Sequence, residues 1–246
     1  MDSLERQERL AGTMEAIQRR WGQRALRTAG DVAAHVPVCP TGLPALDAAT
    51  GIGGLPQGRL TELVGCGTAG HLSVAASALA QAQRMGLQVA YVDAFAAVDL
   101  EALARRNAQL DALVILRPRG LVHALAMISD LLRARGVGMV ILDRLDLNLL
   151  AEHETAQALD RALRDWAPLL SRAEITLLVV TETPSPGRYP AGTAVPFYAS
   201  LRLSLEHAGW LRRGARVTGY TVNATVVKNK LAPPGQCVAL TFCLSG

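Results

Sequence analysis

The stretch Gly65-Cys66-Gly67-Thr68-Ala69-Gly70-His71-Leu72-Ser73 has the spacing of a phosphate-binding loop without its chemistry. In a loop of the form G-x-x-x-x-G-K-[ST], glycines let backbone N–H groups wrap the phosphates. The Lys neutralises their charge and the hydroxyl holds Mg²⁺. Here Gly65 and Gly70 stand, but His71 takes the lysine position and Leu72 the hydroxyl position. Ser73 carries a hydroxyl one place late, so it points differently from a helix N-terminus. The residues predict a nucleotide-handling architecture that lacks two of its nucleotide-handling groups. Structural roles exist for the survivors as well. The glycines suit a strand-to-helix turn whatever binds there, and the helix start still offers N–H groups to an anion. One reading has His71 supply partial charge to an anion below about pH 6.5; the favoured one makes it a solvent-facing residue at the helix start.

Other chemistry-bearing residues are sparse. Cys39, Cys66, Cys237 and Cys243 form no C-x-x-C pair, and with the scattered His35, His123, His153 and His207 they predict no metal site. The net charge of +4 permits contact with nucleic acid without demanding it. It is almost all arginine, the only lysines being Lys228 and Lys230.

The elements that must position these residues follow from periodicity. The chain has 246 residues, half of them apolar, which suits one α/β domain with small appendages. No run approaches the roughly 18 apolar residues of a membrane span, and the charged start lacks a signal-peptide apolar region, so a cytoplasmic location is expected. Residues 4–20 carry a helical stripe of Leu4, Leu10, Met14 and Ile17. A turn-rich segment runs from Pro37 to Gly58. Candidate strands Leu60–Gly65, Gln88–Asp93, Leu113–Leu116, Gly138–Asp143 and Ile175–Thr181 then alternate with candidate helices. The helices are His71–Met85, Asp99–Asn107, Gly120–Arg135 and Glu152–Ser171. Such alternation predicts a mostly parallel sheet covered on both faces. Beyond Phe197 only strands follow, Ala199–Leu205, Thr221–Lys228 and Val238–Leu244, read as an antiparallel extension of that sheet. The expected division is an N-terminal helix and strand over 1–36 and a core over 37–246.

Several of these pieces resemble the RecA recombinase family. They are Thr41-Gly42-Leu43-Pro44-Ala45-Leu46-Asp47 with Gly53-Gly54-Leu55-Pro56-Gln57-Gly58-Arg59, and Ala90-Tyr91-Val92-Asp93-Ala94. The two most specific are Phe197-Tyr198-Ala199-Ser200-Leu201-Arg202-Leu203 and Val226-Val227-Lys228-Asn229-Lys230. The likeness runs from about residue 15 to the end, and the family's small C-terminal domain is expected to be absent. What the resemblance implies is a RecA-like core with a damaged site. The family's catalytic Glu falls on Phe95, and its γ-phosphate-sensing Gln on Glu182, whose charge would repel phosphate. The Walker B Asp is retained as Asp143, free to hold metal, to pair with Arg144 or to cap a turn. Lys228 and Lys230 match a pair that reaches a neighbour's nucleotide across the filament interface; taken alone they read as a solvated strand face. Losing the cation, the metal ligand and the water-activating carboxylate together implies a pseudo-ATPase with no cofactor.

The resemblance also implies two DNA-contacting loops. The first falls near Asp146-Leu147-Asn148. The second falls between Glu182 and Phe197, where Arg188 and Tyr189 are its cation and ring. Both are poor in the charge and stacking that single-stranded DNA needs. Arg212, Arg213 and Arg216 give a better basic surface, and DNA binding is expected to be weak. Met14, Ile17 and Trp21 match the arm that packs on an adjacent RecA protomer, or else a helix folded on its own domain. The implied function is a non-catalytic adaptor of the bacterial DNA-damage response, similar to ImuA-type accessory proteins of mutagenic-repair cassettes. It would bind RecA and a polymerase-like partner, with self-association open. An SOS cell-division inhibitor and an ATP-dependent recombinase are the competing readings.

Overall fold

The computed structural model describes residues 3–22, 26, 36–146, 152–183 and 193–244. Backbone contacts divide the chain into two units, Met1–Val36 and Pro37–Gly246. In the first, helix α1 (Ser3–Trp21) ends in Arg19 and Arg20, cations that suit a helix C-terminus. Leu4, Leu10 and Trp21 are exposed, and Met14 and Ile17 half-buried. The expected strand after α1 lies outside the described residues.

The second unit is built on one eight-stranded sheet. Its strands are β3 (Leu60–Gly65), β4 (Val89–Asp93), β5 (Leu113–Leu116), β6 (Met139–Asp146), β7 (Thr176–Glu182), β8 (Leu201–Arg213), β9 (Arg216–Asn229) and β10 (Cys237–Cys243). They lie in the order β10-β9-β8-β3-β7-β6-β4-β5. From β8 through to β5 the pairing is parallel, while β9 and β10 are antiparallel additions. A small ribbon of β1 (Val38–Cys39) and β2 (Leu55–Pro56) precedes it, with α2 (Pro44–Ala49) between.

Helices cover both faces, which is why β3 and β4 are buried along their whole length and β7 along all but its last residue. On one face α3 (His71–Arg84) lays Val74, Ala75, Ala78, Leu79 and Ala82 against Leu63, Tyr91 and Ile141. Small alanines let that helix approach closely. On the other, α5 (Leu121–Ala134) and α6 (His153–Ala173) pack Ile128, Leu159, Leu163 and Trp166 over Val92, Leu142 and Val179. Trp166 Nε1 donates to Ser129 Oγ at 2.8 Å, joining the two helices. The remaining α-helices among the described residues are α4 (Leu100–Arg105), capped by the Asp99 side chain, and the short α7 (Val195–Tyr198).

Strands β8 and β9 are longer than their apolar stretches suggest. Polar residues carry the hairpin out to the Gly214-Ala215 turn, because pairing between the two strands satisfies the backbone without a buried face.

Candidate functional site: the loop between β3 and α3

The loop from Gly65 to His71 leaves the carboxyl end of β3 and opens α3, where open parallel sheets place their ligands. Gly70 is the residue before the helix, with φ +81°, and a Cβ there would fall 2.8 Å from Val222 Cγ2. Its backbone therefore needs glycine on two counts.

His71 is the main correction to the sequence reading. Expected to face solvent, the side chain is only 3% exposed. It folds back over the loop so closely that a Cβ on Gly65 would lie 2.6 Å from its Nδ1. Absence of a side chain at Gly65 makes the space that the imidazole occupies. Burial lowers its pKa to about 4, with the nearby Glu182 carboxylate opposing and Arg144 assisting. His71 is thus neutral at physiological pH, and its buried Nδ1 has no hydrogen-bond partner among the described residues.

Leu72 is 42% exposed and offers no hydroxyl. The Ser73 hydroxyl is engaged elsewhere, 2.6 Å from Tyr220 Oη on β9. Phe95, expected from the resemblance to stand in place of a catalytic Glu, is exposed and lies under the Arg144 guanidinium at 5.5 Å from the ring centroid.

The acidic residues are committed to partners. Asp143 accepts the hydroxyl of Tyr91, which stands on the neighbouring strand β4. Burial raises its carboxyl, while that hydrogen bond and Arg144 pull it back down; its Oδ1 is left without a hydrogen bond. Arg144 forms an ion pair with Glu182. The expected repulsion by Glu182 is therefore offset by a guanidinium, which no spacing rule reveals. Asp93 lies in register beside Asp143, 1% exposed, with Arg117 Nε at 3.5 Å. The exit of β7 is tied down as well, since Thr183 N donates to Gly65 O at 2.8 Å.

Sequence reasoning missed the polar pair beneath this loop. Glu62 of β3 is completely buried, accepting from Arg202 Nε at 2.6 Å and from Thr181 Oγ1 at 2.8 Å. A charged residue inside the otherwise uncharged run Leu60–Gly65 was its only signal. A cleft of about 400 Å³ opens beside it, lined by Cys66, Thr183, Arg202, Glu206 and His207.

Other candidates lie apart. Lys228 Nζ donates to the carbonyls of Pro196 (2.6 Å) and Phe197 (3.1 Å), and Lys230 Nζ to that of Phe197 (3.3 Å). Both cations thus anchor α7, on which Phe197 is 74% exposed. Arg212, Arg213 and Arg216 are exposed at the tip of the β8–β9 hairpin. Arg188, Tyr189, Leu147 and Asn148 lie outside the described residues. Among the described residues no cluster of three His, Cys, Asp or Glu side chains suits a metal ion. None of the described helices is long and apolar enough to cross a membrane.

Comparison with known proteins agrees with this architecture. The fold is similar to the crystal structure of the RadB recombinase, with a TM-score of 0.65 at 19% identity, covering 82% of this chain and 94% of that one. The sequence is 32% identical over 248 residues to Protein RecA of Desulfotalea psychrophila, spanning 91% of this chain and 70% of that protein. It is also 32% identical over 250 residues to Protein RecA of an Arthrobacter species, spanning 94% and 71%. Residues 8–245 match the RecA N-terminal domain model, and the chain belongs to that family.

Proposed function

We propose that this chain is a non-catalytic RecA-like adaptor in the bacterial DNA-damage response, acting through contact with RecA and with a translesion-polymerase-like partner, as ImuA-type proteins are thought to do. One observation carries the loss of catalysis: a neutral, buried imidazole sits where the phosphate-binding cation belongs. The donor set does not fit a magnesium-bound triphosphate. Leu72 replaces the metal-binding hydroxyl, Ser73 is turned to Tyr220, Asp143 is held by Tyr91, and Phe95 accepts no proton. Phosphoryl transfer depends almost wholly on charge neutralisation and positioning, and both ends of the reaction lose their stabilising groups. The exposed apolar residues of α1 support a protein-contact role for residues 1–36.

Three measurements test the proposal. The purified full chain turns over ATP no faster than background, with or without single-stranded DNA; robust turnover establishes a recombinase instead. Immobilised protein retains RecA; retention of the division-ring protein in its place establishes the inhibitor. Deleting residues 1–30 abolishes RecA retention, and unchanged retention removes α1 as the contact.

A further inference from the structure

Strand β8 is paired on both sides only over its first part. Its parallel pairing with β3 runs from Thr61↔Leu201 to Gly65↔Leu205, where β3 ends. Among the described residues, 206–213 pair on the β9 side alone. At the usual rise this leaves about 25 Å of free strand edge. No other described segment donates to or accepts from its backbone.

Three features surround that edge. At its foot, where β3 stops, lies the cleft of about 400 Å³. Midway, Trp210 is 47% exposed, its ring held by His207 at 4.6 Å and Tyr220 at 6.0 Å between centroids. At its tip stand Arg212, Arg213 and Arg216. Arg213 and Arg216 are direct cross-strand partners, an arrangement in which like charges oppose folding. Among the described residues no acidic side chain lies within ion-pair distance of any of the three.

We propose that the free edge of β8 over residues 206–213 is a docking site for an extended acidic peptide segment of a partner protein, which adds as a strand where β3 leaves off. Main-chain hydrogen bonds supply the affinity in such an addition, and alternate side chains the specificity. A strand laid beside residues 206–213 satisfies the open backbone groups. It places one side chain over the cleft and another on the fixed Trp210 ring, and it brings carboxylates to the self-repelling arginines. Tryptophan and arginine are among the residues enriched where binding energy concentrates in protein interfaces. Charges and bulges also guard strand edges against indiscriminate pairing. Here Glu206 stands at the foot of the edge and the three arginines at its outer end, so the outer end disfavours basic strands and favours acidic ones. The proposal stands whether or not the loop at Gly65 grips nucleotide.

The test uses the full chain and a labelled peptide alternating Glu with Val, long enough to span the edge. Its Lys-for-Glu counterpart and a single-stranded oligonucleotide serve as rival ligands. The acidic peptide binds saturably by fluorescence anisotropy, the basic one does not, and hydrogen exchange slows at the amides of 206–212. The triple change R212E/R213E/R216E weakens binding at least tenfold, the change that about 1.4 kcal/mol carries. Ala208→Pro, at a bulge position unpaired with β9, abolishes binding while the melting temperature holds. Absence of saturable binding, or binding that survives both variants, overturns the proposal. So does hairpin protection by the oligonucleotide alone, or protection that follows self-association.

Discussion

Lowering the pH reports directly on whether His71 fills the loop. Its folded pKa is about 4 against an ordinary 6.5. Between those values the unfolded chain holds a proton that the folded chain refuses, so stability falls as pH drops through that window. The loss begins below pH 6.5, grows by about 1.4 kcal/mol per pH unit, and ends near pH 4. The shift from 6.5 to about 4 corresponds to about 3 kcal/mol in all. Many carboxylates titrate over the same range, so wild type is compared with His71→Gln, which keeps a planar polar side chain without the proton equilibrium. Guanidinium unfolding at a series of pH values then gives two curves. The wild type loses about 3 kcal/mol more than the variant between pH 7 and pH 4, because the carboxylate contributions cancel. Proton–nitrogen correlation spectra follow the same imidazole and place its midpoint near pH 4. A midpoint at 6.5 with superimposable stability curves refutes the argument: the imidazole would then be in water, and the cation position would be open.

Three substitutions probe the supporting geometry. Gly65→Ala puts a methyl 2.6 Å from His71 Nδ1 and 2.8 Å from Ala69 Cβ; thermal melts should show a loss of about 1–3 kcal/mol, partly relieved when His71→Ala is added. Tyr220→Phe removes the hydroxyl 2.6 Å from Ser73, and urea titration should find about 1 kcal/mol lost, with a double-mutant cycle against Ser73→Ala showing the two effects to be shared. Arg202→Ala strips the guanidinium from the fully buried Glu62 and should cost about 3 kcal/mol at pH 7, measured by urea titration. The same variant with Glu62→Gln should recover part of that loss, since no buried charge then remains.

Much of the fold was legible because its signals are local. Strands such as Leu60–Gly65 and Leu113–Leu116 read as apolar runs closed by turn residues, and the structure places them at those bounds. The antiparallel extension followed from consecutive strands with no helical pattern between them. The outer halves of β8 and β9 were not legible, because polar residues paired only with each other carry no burial period.

The sequence by itself determined the layered α/β core, the glycine turn that opens α3, and the chemical identities at the cation and hydroxyl positions. These depend on short-range sterics, side-chain period and residue type. Tertiary structure alone decided where those side chains went: His71 over Gly65, Ser73 to Tyr220 across 147 positions, Asp143 to Tyr91, and Arg144 to Glu182. A polar group's partner is whatever the folded chain brings within about 3 Å once water is excluded, and no spacing along the chain encodes that encounter. The open edge of β8 has the same origin, for it exists only because β3, distant in sequence, ends at Gly65.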